Sequence, residues 1–194
     1  MKKKLVFYLM LLSLIAVSFF LGYNFSENQW KCRACAYSSG NVQPLVNENY
    51  FPILLKEINN ANSNIDIALY EFKFYETNNS ATQIREALVN AQKRGVKIRM
   101  ILDQSQWYGK ITDLSKENQK TAEYLSERGI SVKLDSIKTT THDKLIIIDN
   151  ETVIVGSHNW GSSALTKNNE ASVMIKDSAI AEYYENYFNF LWNS

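Results

Sequence analysis

The chain is predicted to be an α/β domain whose mixed central β-sheet is covered by helices on both faces. Three observations predict it. Strand-like and helix-like hydrophobic patterns interleave from residue 42 to the C-terminus, the arrangement in which helices pack over a central sheet. Two late runs, LIII (Leu145–Ile148) and TVIVG (Thr152–Gly156), are apolar almost throughout, as strands buried on both faces are. Hydrophobic residues make up 45% of the 194 positions and charged residues 21%, enough to fill one sizeable core. No internal repeat is visible, so each motif occurs once.

The elements follow in order. VQPLV (Val42–Val46) is a short strand that Pro44, lacking an N–H, pushes towards a sheet edge. YFPILLKEINNA places Phe51, Leu54, Leu55 and Ile58 at helical spacing. NIDIALYEF (Asn64–Phe72) puts Ile65, Ile67 and Leu69 on one face of a strand. SATQIREALVNAQKRG (Ser80–Gly95) is an amphipathic helix with Gly95 just past its end. VKIRMILD (Val96–Asp103) is a strand whose apolar residues alternate with Lys97 and Arg99. After the loop QSQWYGKIT comes a polar helix over 113–128, ended by Gly129. ISVKLDS is a strand, and HDKLIIIDN and ETVIVGSHN form a hairpin about an Asp149–Asn150 turn. EASVMIKD is the last strand. SAIAEYYENYFNFLWNS closes the chain as a helix with Ser178 at its N-cap. Its Ile180, Tyr183, Tyr184, Tyr187, Phe188 and Leu191 recur every three or four residues and read as a core stripe rather than a base-stacking surface.

Two segments precede this domain, which spans 42–194. Residues 1–23 open with Lys2, Lys3 and Lys4 and continue as 19 uncharged residues, Leu5 to Tyr23. About 20 apolar residues carry a helix across the hydrocarbon of a bilayer, and the leading lysines favour an orientation with the domain outside the cytoplasm. The expected reading is an uncleaved membrane anchor, because Phe19, Phe20 and Leu21 prolong the apolar run past Ala16-Val17-Ser18. The alternative is a signal peptide cut at that small-residue site, giving a secreted or periplasmic protein. Residues 24–41 are a polar linker holding both cysteines, Cys32 and Cys35. Two cysteines without a neighbouring histidine do not make a tetrahedral metal site. A local disulfide or two idle thiols is the plain reading, beside a redox pair, half of a dimeric zinc site, or a lipid-modified cysteine. Without the three leading lysines, 18 basic residues face 20 acidic ones. That balance of −2 excludes a basic coat, so any polyanion surface is a local patch.

The chemistry concentrates in THDKLIIIDNETVIVGSHNW (Thr141–Trp160), which holds both histidines of the chain. Residues two apart on a strand share a face, so His142 and Lys144 are expected side by side with Asp143 turned away. Ser157 and Asn159 are expected to share a face of the return strand. An imidazole and an ammonium with hydroxyl and amide groups beside them suit a phosphate without calling on a metal or cofactor. Gly156 allows close backbone approach or a bulge. His158 points the other way and is expected to be non-catalytic.

This stretch resembles the HxKxxxxD(x)6GSxN signature of the phospholipase D superfamily. It is similar to the single-motif branch typified by small exported bacterial endonucleases, and is related to mitochondrial-surface single-motif members. The likeness runs through most of 42–194, including NIDIALYEF, ALVNAQKRGVKIRMILDQ and TKNNEASV. The resemblance implies a phospholipase D-like fold and a metal-independent, two-step displacement at a phosphodiester. His142 would attack phosphorus, giving a phosphohistidine, and a second motif histidine would protonate the leaving oxygen. With one motif per chain, that second histidine must be His142 of another copy, which implies a homodimer sharing one active site. The resemblance adds Lys144, Ser157 and Asn159 as phosphate-handling residues and Glu170 as the carboxylate orienting the histidine. Asp149 fills the acidic position of the motif, but its parity assigns it to positioning the hairpin.

The substrate stays open. A nuclease is expected from the single motif, the short chain and the endonuclease likeness. Lys73, Lys110, Lys138 and Lys167 are candidate backbone contacts, and Trp107 and Tyr108 candidate base-stacking residues. A phospholipase acting on cardiolipin or phosphatidylcholine is the alternative, favoured by an N-terminal anchor. A catalytically inactive scaffold for nucleic acid or lipid is a third reading, disfavoured by the presence of His142 and Lys144.

Overall fold

The computed structural model describes residues 40–107 and 110–194; the expected anchor, the expected linker up to residue 39, Cys32, Cys35 and Tyr108 lie outside them. Nine strands follow in chain order: β1 (Val42–Val46), β2 (Asn64–Leu69), β3 (Lys97–Leu102), β4 (Gln106–Trp107), β5 (Lys110–Ile111), β6 (Ser131–Leu134), β7 (Lys144–Ile148), β8 (Thr152–Gly156) and β9 (Ala171–Lys176). Seven make one sheet in the order β1-β9-β8-β7-β2-β3-β6, while β4 and β5 form a separate ribbon. The β2–β3 and β3–β6 pairs are parallel. Their crossovers carry α2 (Ser80–Lys93) and α3 (Asp113–Ser126), since parallel neighbours need a long connection. The β7–β8–β9 meander and β1 are antiparallel. Pro44 sits on β1, at the sheet edge where its missing N–H costs nothing.

The period of two along each strand divides the core. Ile65, Ile67, Leu69, Met100, Leu102, Ile146 and Ile154 face one layer of helices. That layer is α1 (Tyr50–Asn60), α2, α3 and the short α4 (Ser162–Thr166), through Leu54, Ile58, Ile84, Leu88, Leu125 and Leu165. Alternate residues Ala68, Ile101, Leu145, Ile147 and Val153 face α5 (Ser178–Asn193), meeting Ala181 and Phe188. Both faces are therefore covered, but unequally. The predicted core stripe of α5 is corrected accordingly: Phe188 is buried, whereas Ile180, Tyr183 and Tyr187 are exposed. One helix over the sheet buries a narrow line of its side chains, and among the described residues no second layer lies above it.

Helix ends follow their capping chemistry. Asn79 accepts from Thr82 N–H and Thr112 from Ser115 N–H, each satisfying an orphan donor of the first turn. The N-cap of α5 is Asp177, not Ser178: its carboxylate accepts from the N–H groups of Ala179 and Ile180. An aspartate one residue upstream competes better because it also carries charge against the helix dipole. Gly95 and Gly129 end α2 and α3 with φ of +97° and +85°, the left-handed region glycine enters freely.

Under α5, Arg99 donates to both oxygens of buried Asp66, at 2.8 and 2.7 Å, and to Glu185 at 3.1 Å. The other Glu185 oxygen has no hydrogen-bond partner among the described residues. Burial, with the nearby Asp66 carboxylate, pushes the Glu185 carboxyl up to about 7. A raised folded value means that stability held at low pH is lost as pH rises through about 7. Glu185→Gln is expected to remove this decline, so urea midpoints of variant and wild type should diverge, in favour of the variant, between pH 4.5 and about 7 and run parallel above that.

Candidate active site

The parallel strands β2, β3 and β6 all end at one edge of the sheet. β7 begins there and β8 ends there, because Leu69 pairs with Lys144 and Val155 with Leu145. Side chains just beyond these ends converge where sheet connections diverge, the place where α/β sheets bind ligands. They are Tyr70, Asp103, Asp135, His142, Lys144 and Ser157.

His142 lies outside the strand, since β7 starts at Lys144. The expected side-by-side arrangement on one strand face is thereby corrected. The Lys144 ammonium folds back and donates to the His142 carbonyl oxygen at 2.9 Å. It also lies over the Tyr70 ring at 4.8 Å. The His142 ring packs on Tyr70, 4.4 Å between centroids and tilted by 59°, while the residue itself is exposed. Lys144 is 6% exposed. Burial pulls its ammonium below the ordinary lysine range, against the carboxylates of Asp143, Glu170, Glu71 and Asp103. A buried cation surrounded by carboxylates keeps its charge and offers its remaining N–H donors to an anion. Asp143 turns away, as expected, and accepts from Tyr187 Oη at 2.8 Å. Burial followed by this contact raises the Tyr187 phenol to about 12.

The return strand also stops short of its motif residues. β8 ends at Gly156, and the following segment lies beside residues 71–73. Trp160 N–H donates to Glu71 O at 2.9 Å and Lys73 N–H to Trp160 O at 3.1 Å. Ser157 Oγ donates to Glu170 Oε2, and Ala171 N–H donates back to Ser157 Oγ at 3.0 Å. Asn168 holds the other Glu170 oxygen at 3.1 Å. Glu170 thus orders Ser157; among the described residues it makes no hydrogen bond to His142. Asn159 Oδ1 is buried without a partner among the described residues. An unpaired buried amide oxygen is costly, and such groups mark sites that a ligand completes.

His158 is fully buried. Its ring stacks on Tyr50 at 4.0 Å and 6°, with Nδ1 on Ser172 Oγ at 2.7 Å and Nε2 on Asn47 O at 3.1 Å. Burial lowers its pKa. Tyr50 also accepts from Trp160 Nε1 at 3.1 Å, and Trp160 meets Phe72 edge-on at 4.9 Å. This aromatic wedge fixes the segment carrying Ser157 and Asn159.

Asp149 sits at the far end of β7, about 16 Å along the strand from Lys144 at ~3.3 Å per residue. It and Asn150 have φ of +55° and +53°, the tight hairpin turn that aspartate and asparagine tolerate. Its carboxylate accepts from the N–H groups of Asn62, Ser63 and Asn64 and from Ser63 Oγ. Asp149, which fills the acidic position of the motif, therefore anchors the β7–β8 turn to the start of β2, the hairpin-positioning role its parity assigns it, and stands away from the catalytic end of the sheet. Burial raises its pKa, but these bonds to Ser63, Asn62 and Asn64 outweigh burial and leave it lowered. A depressed folded value gives stability present above the ordinary ~3.9 and lost as pH falls through the folded one. Asp149→Ala is expected to cost about 1 kcal/mol at pH 7, allowing for solvent screening. Urea unfolding at pH 7 and pH 3 should show that cost shrinking in acid.

Residues 54–192 match the family model described as cardiolipin synthase, PLD-like domain. The chain belongs to the phospholipase D-like family. A crystal structure described as a phospholipase D family member, Nuc, from Salmonella typhimurium superposes with a TM-score of 0.65 at 31% identity, covering 78% of this chain and 93% of that one. The protein is 39% identical over 111 residues to "Phospholipase D" of Rickettsia prowazekii (strain Madrid E), covering 57% of this chain and 50% of that protein. It is 27% identical over 139 residues to "Mitochondrial cardiolipin hydrolase" of Mus musculus, covering 72% of this chain and 56% of that protein. The chain thus spans about half the length of the curated relatives it matches.

Within this phospholipase D-like domain, the structure brings His142, Lys144, Ser157 and Glu170 to one sheet edge. Lys73, Lys110, Lys138 and Lys167 are exposed; Lys73 pairs with Glu71 at 3.4 Å. Tyr108 and the Trp107 side chain are outside the described residues. Tyr70, Asp103, Thr141 and Asp135 were not singled out from sequence. Their shared signal is position, one or two residues beyond the apolar run of a strand or just before the histidine.

Proposed function

We propose that the domain is a metal-independent phosphodiesterase that hydrolyses nucleic-acid phosphodiester bonds, in an active site shared by two copies of the chain. The observation that carries this is an exposed His142 whose main-chain carbonyl is bonded by the buried Lys144 ammonium, together with an Asn159 amide oxygen buried without a partner among the described residues. A neutral His142 nitrogen attacks phosphorus, a P–N bond forms, and the bond to the leaving oxygen breaks. That oxygen needs a proton. The chain has two histidines, and His158 is sealed under Tyr50, so the acid is assigned to His142 of a second copy, starting as imidazolium. Water then attacks phosphorus and gives its proton to that second histidine, the P–N bond breaks, and a phosphomonoester leaves. Lys144 neutralises charge on the non-bridging oxygens, with Ser157 and Asn159 beside it.

The motif's likeness to exported endonucleases, with exposed lysines at 73, 110, 138 and 167 available as backbone contacts, favours nucleic acid. The names of the rickettsial and mitochondrial relatives favour the second reading, a phospholipase D acting on lipid headgroups. We place the domain outside the cytoplasm, tethered by residues 5–23; protease access to intact spheroplasts tests this, and protection would contradict it. The test of function is incubation with plasmid, single-stranded RNA, and cardiolipin or phosphatidylcholine vesicles, each with EDTA. EDTA-resistant nicking or RNA cleavage is expected. Lipid turnover alone would replace the nuclease, and no turnover by the folded protein would leave the scaffold.

A further inference from the structure

Asp103 follows directly on β3, and it is fully buried. Its Oδ1 accepts Thr141 N–H at 2.9 Å, while Oδ2 is buried with no hydrogen-bond partner among the described residues. Asp135, directly after β6, accepts from Thr141 Oγ1 through Oδ2, and its own N–H donates to Leu102 O at 2.9 Å. Thr141 is thus gripped twice, by its main chain from β3 and by its hydroxyl from β6, one residue before His142. The grip is itself supported: Asn118 Nδ2 donates to Asp103 O at 2.9 Å and to Tyr70 O at 2.8 Å. A buried carboxylate oxygen without a donor is costly, and neither Thr141 nor the helix scaffold uses it.

We propose that Asp103 is a positioning residue for His142, holding the Thr141 main chain with one oxygen so that the imidazole next in the chain is presented at the strand ends. This rests on His142 being the reacting group. Burial raises the Asp103 carboxyl above the ordinary aspartate range. The Thr141 N–H, the nearby Ser105 hydroxyl and His142 itself pull it back, while Asp135 adds to the rise.

Asp103→Asn keeps an oxygen for Thr141 N–H, whereas Asp103→Ala removes it. Both variants are read by kcat and KM for bis-p-nitrophenyl phosphate and by hydrogen exchange of the Thr141 amide. Asp103→Ala is expected to lower kcat roughly ten-fold with KM little changed and to lose protection of the Thr141 amide, and Asp103→Asn to restore both. A merely structural Asp103 would lower thermal stability and leave kcat of the folded Asp103→Ala protein at the wild-type value, which would overturn the proposal. If Asp103→Ala does not fold, wild type and Asp103→Asn decide: a Thr141 amide exchanging as fast as an exposed one overturns the grip. Absence of any turnover by wild type would sink the phosphodiesterase reading, while Thr141 exchange would still decide the grip.

Discussion

His142→Ala is expected to abolish phosphodiester cleavage, lowering kcat by roughly four orders of magnitude or more. The loss should be catalytic rather than structural. His142 is exposed, and the Lys144 bond reaches its main-chain carbonyl, which the substitution keeps. The thermal midpoint should therefore stay within about 1 °C of wild type. Acid-labile phosphate should be trapped on the wild-type protein during turnover of a labelled phosphodiester and be missing from the variant. Cleavage within ten-fold of wild type by the folded variant would rule out His142 as nucleophile and acid together.

The second large effect falls on a residue that takes no part in the chemistry. A Cβ added at Gly156 would stand 2.5 Å from the Ala171 carbonyl oxygen and nearer still to Ser172 Oγ and Cα. Gly156 pairs with Ser172, so these are partly backbone contacts that no rotamer change relieves. Gly156→Ala must push β8 away from β9 at its end. That displacement breaks the Ser157 N–H bond to Ala171 O, at 3.0 Å, and the His158 bond to Ser172, at 2.7 Å. We expect a loss of about 2–4 kcal/mol, seen as a thermal midpoint lower by roughly 5–12 °C. The folded fraction should also lose activity, because Ser157 and Asn159 follow directly on the displaced residue. An unchanged midpoint would show that β9 yields easily, and would remove the close approach as the reason for a glycine there.

The strand–helix alternation was legible because each crossover carries its own punctuation. Gly95 and Gly129 stop α2 and α3, and Pro44 marks the edge strand. The β7–β8 hairpin was legible from its Asp149–Asn150 turn. Less visible was where those strands stop. Periodicity continues through His142 and Asn159, yet ladder pairing ends at Lys144 and Gly156, because the chain there leaves the ladder for Asp103 and for residues 71–73. Face parity therefore misjudged how His142 meets Lys144. The α5 stripe was misread for a related reason: spacing reports which residues share a face, and only packing reports how much of that face is covered. Asp103, Asp135 and Tyr70 sit far apart in sequence, and only the sheet order β7-β2-β3-β6 brings them to one histidine.

The shared active site is tested most directly by a heterodimer of one wild-type and one His142→Ala chain, purified through two different affinity tags. Each site requires one histidine as nucleophile and the other as acid, so the mixed dimer should cleave at no more than about 1% of the wild-type rate. Retention of about half the wild-type rate would mean that each chain works alone, and would contradict the shared site.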